Sequence, residues 1–380
     1  MNTNSNDKNS QNPVLESDGR QRGFSLIEIM VALALSLFLI TGMIQLLIGN
    51  KQSYRVHEAQ SRMQENGRFA LEALGRDIRM AGFTSCQINK SVTNVLNNPT
   101  TWWENFGAGS LVGYDGTQGF TGKAFGTGSA DRVMGTDAIT VLEGGGQSYS
   151  IVSHDSGLSV FTLGDLGALK KGNMILVCSP AEEMPVFLFQ INNVNSGTLA
   201  ISHNVGTVTP GNSTKTLTNY RDGIQTSKIM IDFIPVAFYI GVSTSCTSTP
   251  CTSRSLYQMQ LDVTDAGVAS MTANELVEGV QDMQIVYGED TNGDGVIDPP
   301  YKDASDASVI NWSNVLSVRI NLLMVSLDDN LATALQTVIF PANIGNANTG
   351  GNVYTPSAND RRLRQAFSAT VSIRNRLQLR

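Results

Sequence analysis

From Phe24 to Ile48 the chain runs for 25 residues with a single ionisable side chain, Glu28, and that run limits every later choice. About 20 apolar residues suffice to cross a bilayer as a helix, and a routine secretory core is shorter. The preceding stretch, 1–22, is polar and ends with Arg20 and Arg22, while Lys51 and Arg55 follow on the far side, so charge biases the orientation only slightly. All four cysteines, Cys86, Cys178, Cys246 and Cys251, lie beyond the run. An even set of cysteines suits an oxidising compartment, which places the leader in the cytoplasm and the bulk of the chain outside it.

Cys246 and Cys251 sit in "STSCTSTPCTSRS", where a bridge closes a small Ser/Thr/Pro loop, and Cys86–Cys178 is then the remaining pairing. The alternative is a set of free buried thiols. Zinc fits neither reading, because there is no CxxC pair and the three histidines, His57, His154 and His203, are dispersed.

Past the apolar run, "KQSYRVHEAQSRMQENGRFALEALGRDIRMAGF" keeps helical spacing. Val56, Ala59, Met63, Ala70, Leu74, Ile78 and Ala81 recur every three to four residues with charged residues between them. One helix from Phe24 to Gly82, about 90 Å long at 1.5 Å per residue, accounts for both stretches. Gly82 is its stop, and Gly42, Gly49, Gly67 and Gly75 are expected to loosen it locally. Packing against the chain's own globular domain explains the stripe.

From Phe83 onward the texture changes to short apolar runs between Gly, Asn, Ser and Thr. "DAITVLEG", "GNMILVCS", "PVFLFQIN", "KIMIDFIPVAFYIG", "RSLYQMQLDV", "QDMQIVYG" and "VLSVRINLLMVSL" read as strands. The fold class is therefore α+β: a leader over 1–23, a helix over 24–82 whose first part, 24–48, spans the membrane, and a β-rich domain over 83–380. The Gly/Thr-rich stretch between Asn89 and Ala130 is an irregular insertion, with Trp102 and Trp103 either pinning it to the sheet or offered to a partner.

A carboxylate within a membrane helix costs about 2.5–3.5 kcal/mol at the helix centre, less toward an end, and such groups are usually functional. Cleavage between Gly23 and Phe24 would create an amine one helical turn from Glu28, on this chain or on a neighbour. These residues, "GFSLIEIMVAL", resemble the class III signal of type IV pilins and pseudopilins. The resemblance implies cleavage after Gly23 by a prepilin peptidase, N-methylation of Phe24, and Glu28 as the carboxylate that docks a subunit onto the growing filament. The leader is longer than those common among type IVa pilins.

The last third extends the likeness. "LVEGVQDMQIVYG", the tryptophan ahead of "VLSVRINLL", and the "RN" that follows an alternating strand resemble the PilW family of minor pilins. That implies a minor pilin which primes type IV pilus assembly and stays near the tip. Its implied partners are other minor pilins, the major pilin, the prepilin peptidase, the inner-membrane assembly platform and a tip adhesin. The implied location is the bacterial inner membrane before assembly and the surface pilus after it.

Within this region "DTNGDGVID" sets oxygen-bearing side chains at Asp290, Asn292, Asp294 and Asp298 with glycines between. The pattern resembles the calcium loop of EF-hands and suits Ca²⁺ better than Mg²⁺. Tyr301 stands where the usual bidentate glutamate would be, so Asp303 or Asp306 would substitute. The same residues also make a turn that needs no metal. Six arginines, Arg361, Arg362, Arg364, Arg374, Arg376 and Arg380, crowd the final stretch, either as a docking strip for acidic partners or as solvated charges on an edge strand.

Lys plus Arg number 26 against 33 Asp plus Glu, a net charge of −7, which disfavours nucleic acid as the main partner. No G-x-S-x-G, P-loop lysine or HExxH is present, so the expectation is a structural and interaction protein with no organic cofactor. Two rival readings share much of this: a minor pseudopilin of a type II secretion system, and a membrane-anchored adhesin that uses the Trp-bearing insertion and the aspartate loop.

Overall fold

The structure is a computed structural model and describes residues 23–86, 91–106, 109–179, 184–220, 228–246, 252–306, 310–340 and 353–376. Its one α-helix among these, α1, spans Leu26–Met80 without a break. The helix begins two residues later than the sequence suggests because Ser25 caps it: the Glu28 amide donates to Ser25 Oγ at 3.2 Å, and the Ser25 amide donates to Glu28 Oε2 at 3.3 Å. This reciprocal pair is a capping box, which satisfies two of the amides a helix start leaves orphaned. At the far end Gly82 adopts φ +75°, a conformation few other residues take at low cost, and its amide turns away to Leu142 O. The four glycines expected to loosen the helix do not interrupt it.

By its internal contacts the chain divides into two units, one ending at Arg55 and one covering Val56–Arg380. In the first, no described residue is buried. The second contains the rest of α1, where Met63, Gly67, Ala70, Leu74, Gly75, Asp77 and Ile78 are buried. These sit on the stripe that the periodicity marks, with Val56 and Ala59 packed at its margin.

Among the described residues seventeen strands follow: β1 (Val92–Asn94), β2 (Leu111–Tyr114), β3 (Ala138–Asp155), β4 (Val160–Leu163), β5 (Met174–Cys178), β6 (Val186–Gln190), β7 (Asn193–Asn195), β8 (Ala200–Ser202), β9 (Ile229–Val242), β10 (Arg254–Val263), β11 (Ala269–Glu278), β12 (Val280–Glu289), β13 (Lys302–Asp303), β14 (Val315–Val325), β15 (Val338–Ile339), β16 (Val353–Tyr354) and β17 (Arg364–Ser372). All seven apolar runs read as strands are strands. The larger sheet runs β1-β6-β5-β9-β3-β4-β8-β7, with the β10–β11 hairpin joined through β9 and β2 joined through β3. The smaller is β13-β12-β14-β17, antiparallel throughout, and β15 pairs with β16.

The second half of α1 packs on the smaller sheet. Its buried stripe shares one apolar cluster with Met283, Ile285, Val318, Ile320, Leu322 and Val371. Gly67 is the closest approach: a Cβ there would sit 2.9 Å from the Phe367 ring of β17. The chain passes from the larger sheet to the smaller at Gly279, φ +76°, where an added Cβ would lie 2.7 Å from Val325 O. Only glycine fits that corner.

The insertion between Asn89 and Ala130 contains β1 and β2, with long irregular connections. Trp102 and Trp103 are half-buried against an apolar cluster of the larger sheet, Trp102 meeting Phe120 edge-on at 6.3 Å. Arg132 fastens the end of this region. Fully buried, it donates to the carbonyls of Gln118, Asp115 and Thr136 and lies 4.6 Å from the Phe125 ring, and burial lowers its pKa to about 10.

Candidate functional site: the amino-terminal segment, the aspartate loop and the arginines

Gly23 and Phe24 are exposed, Phe24 at 80%, and so is every residue of α1 from Leu26 to Lys51. Leu33, Leu37, Phe38 and Leu47 show more than half their surface, and none of them packs into an apolar cluster of the described residues. Among the described residues α1 is the one helix long and apolar enough to cross a membrane. A helix apolar on all sides belongs in lipid or among other such helices. Residues 1–22, the rest of the expected leader, lie outside the described residues.

The capping box gives Glu28 a local partner that the sequence reading did not find. The signal was present as Ser25-x-x-Glu28. A carboxylate at this position therefore has two chemical options. It can hold the Ser25 amide, or it can turn to an ammonium placed one turn away, a stronger, charge-assisted acceptor–donor pair.

The aspartate loop follows β12. Asp290 is buried, and its Oδ1 accepts the amides of Gly293 (2.7 Å) and Asp294 (3.2 Å), while Oδ2 accepts Gly295 (2.7 Å). Asn292 Oδ1 accepts the Asp294 amide and Asp294 Oδ1 accepts that of Val296. Asp298 turns to Thr291, accepting both its amide (2.8 Å) and its hydroxyl (2.5 Å), which hold its carboxyl below the usual range. Among the described residues no three His, Cys, Asp or Glu side chains converge on a cation-sized site. As placed, the four expected ligands close the turn upon itself, and a cation cage would require Asp294 and Asp298 to swing toward Asp290. Of the two substitutes for the missing glutamate, Asp303 is buried and accepts the Ser305 amide, and the Asp306 side chain is outside the described residues.

The cysteine expectation holds where it is described. Cys86, six residues past the end of α1, is bridged to Cys178 of β5. Cys246 lies at the start of its loop and Cys251 is outside the described residues. Glu275 of β11 braces that loop, accepting from Ser243 Oγ (2.7 Å), the Thr244 amide (3.0 Å) and Ser255 Oγ (2.5 Å).

The arginines form neither a continuous strip nor a solvated fringe. Arg362 and Arg364 both pair with Asp360, which they hold well below the usual carboxylate range against its partial burial. Arg361 donates to Thr333 O, and Arg376 donates to Val315 O, Trp312 O and Ser110 Oγ. Arg376 thus ties the carboxy-terminal region to the smaller sheet and the insertion and Arg361 reaches the segment after β14, while Arg362 and Arg364 stay with Asp360 in their own segment. Arg374 is exposed, and Arg380 is outside the described residues. Strand β17 lies at the edge of its sheet, pairing only with β14 among the described strands.

Residues 237–375 match the model of a family described as type IV pilus-assembly protein W, and residues 18–44 match the prokaryotic N-terminal methylation motif. The first match takes in the end of β9, from Ala237 on, all of β10 to β17, and the aspartate loop. The second takes in Gly23, Phe24 and Glu28. Together they agree with the PilW-type minor pilin resemblance read from the sequence. No curated protein and no solved structure matches the chain.

Proposed function

We propose that this chain is a minor pilin of a type IV pilus, cut after Gly23 by a prepilin peptidase, N-methylated at Phe24, and installed at or near the tip where it helps prime assembly. The observation that carries this reading is the helix stretch from Leu26 to Lys51, apolar, wholly exposed, and headed by a carboxylate within one turn of the cleavage position. Its side chains have no partner among the described residues, so they need lipid first and a bundle of like helices later.

Before cleavage Glu28 caps α1 through the Ser25 amide. Cleavage delivers a positive amine beside it, and the amine of an incoming or preceding subunit competes for the same carboxylate. Pairing offsets the charge that otherwise resists leaving an interfacial position for an apolar bundle. The β-rich unit, with its bridged and stapled insertion, then selects neighbours among the minor pilins and the major pilin. Peptides of the chain in filaments sheared from the native host, including one that begins at N-methylated Phe24, are the expected result of mass spectrometry. A processed form confined to membranes and never found in filaments would overturn the pilus reading in favour of a pseudopilus.

A further inference from the structure

Along the membrane-distal half of α1, opposite the stripe buried on the smaller sheet, Phe69, Ala73, Arg76, Arg79 and Met80 line an open cleft of about 520 Å³. Its other wall comes from Leu276 of β11, Gln258 of β10 and Arg374. Phe69 is 51% exposed, unusual for a phenylalanine beside a packed core. Three guanidinium groups face this space. Arg76, with a side chain 71% exposed, uses only its Nε, donated to Asp77 Oδ1 at 2.8 Å. Arg79 and Arg374 are exposed and enter no ion pair among the described residues. On the rim Glu72 is the one carboxylate. Asp77 lies behind Arg76, buried, and its second oxygen accepts Gln258 Nε2 at 3.0 Å.

We infer that this cleft receives a helix of a neighbouring pilus subunit carrying carboxylates one turn apart beside an apolar side chain. The inference rests on the minor-pilin reading above and specifies the partner's chemistry. Charge complementarity favours that occupant. In a chain of net charge −7, a concave surface with three arginines against one rim carboxylate runs against the overall balance. The guanidinium fork matches a carboxylate bidentately. Arg76 and Arg79 stand one turn apart on α1, the spacing at which Glu or Asp at i and i+3 or i+4 of a second helix present their carboxylates. Phe69 and Leu276 supply the apolar floor, and exposed aromatic and arginine side chains together are the composition of an interface hot spot. Four of the six carboxy-terminal arginines are committed internally, which leaves Arg374 as the described one available to this surface.

The test uses the full chain in detergent with each of the host's other pilus subunits, purified singly, and a DNA duplex of arbitrary sequence as the rival probe. One subunit is expected to bind, its affinity falling as salt is raised from about 50 to about 300 mM. The double variant Arg79→Glu/Arg374→Glu, melting like the parent, is expected to bind that subunit at least about tenfold more weakly, since two attractive pairs become repulsive. The variant Arg79→Lys/Arg374→Lys is expected to retain most of the binding. Lysine replacement of the facing carboxylates on the partner should restore binding to the glutamate variant. Unchanged binding of every subunit by the glutamate variant overturns the proposal, as does a duplex that binds the parent chain and displaces the subunit. The two readings fail separately: parent chain absent from sheared filaments removes the minor-pilin reading, whereas equal incorporation of parent and glutamate variant removes only the cleft.

Discussion

The two halves of α1 are one helix made by the same backbone rules, yet they pose opposite packing problems. Up to Arg55 none of the described residues is buried, although Leu, Ile, Val, Met and Phe dominate. From Val56 to Met80 the continuous apolar stripe faces the core and is buried completely at Ala70, Leu74 and Ile78. A polar surface with a narrow apolar seam is solved inside the chain. An apolar surface all round has no internal solution, so its partner must be the bilayer or other subunits. The helix is thus half a core element and half an address for something outside the molecule.

The largest expected effect that can break this contrast is on folding. Leu74→Ala should cost about 2–5 kcal/mol, the range for emptying a closed core site, while Leu37→Ala in the same detergent-solubilised chain should leave the denaturation midpoint unmoved. Equal losses at the two positions would mean that the first half also has an internal partner. Next in size is Glu28→Val, which should leave membrane insertion intact and cut incorporation into filaments by about tenfold or more, because the amine brought beside this position then loses its charge-assisted partner. Full incorporation of this variant would confine Glu28 to its capping role.

A smaller effect sharpens the second half alone. Glu143 of β3 is buried near Asp77, and desolvation with that neighbouring charge raises its pKa to about 8. The folded state therefore keeps a proton that the unfolded chain releases near 4.5. The associated stability is present below that pH and is lost as pH rises through about 8. After allowance for solvent screening it amounts to about 1–2 kcal/mol, and Glu143→Gln should flatten the pH dependence of melting across that window. A profile as steep as the parent's would assign the dependence elsewhere, with Asp137 the alternative, since burial raises its pKa as well. Smallest is the response to calcium: with the loop carboxylates occupied by backbone amides, added Ca²⁺ at about 1 mM, within the range of extracellular sites, should shift melting little. A clear rise would show that Asp294 and Asp298 do turn to join Asp290.

What the sequence shows of this fold follows from how local each cause is. The stripe from Val56 to Ala81, the stop at Gly82 and the seven apolar strands are written in neighbouring residues. Strand β11 is not, because "ASMTANELVE" has polar and helix-favouring residues on its exposed positions and gains its conformation from pairing along β10. Gly67 reads as a weak point in a helix, but its lack of a side chain admits Phe367 from 300 residues later in the chain. The arginines divide the same way: Asp360, which holds Arg362 and Arg364, is a near neighbour in sequence, whereas the carbonyl of Val315 that holds Arg376 is a partner that only the fold supplies. At the candidate site Gly23, Phe24 and Glu28 are legible as a motif, whereas the cleft between α1, β11 and Arg374 joins three distant segments.

The Cys86–Cys178 bridge also has a mechanical meaning. Under the fibre role proposed above, tension on the helix passes in part through its packing on the smaller sheet and, along the covalent chain, through the end of α1 at Met80. Six residues later that tension meets a covalent link to β5, which is hydrogen-bonded to β6 on one side and to β9 on the other. The load is thereby handed to the middle of the larger sheet and spread over many parallel hydrogen bonds, bypassing the long insertion that follows Cys86 in sequence. Reducing the bridge would return the insertion to the load path and make it the first part of the domain to extend.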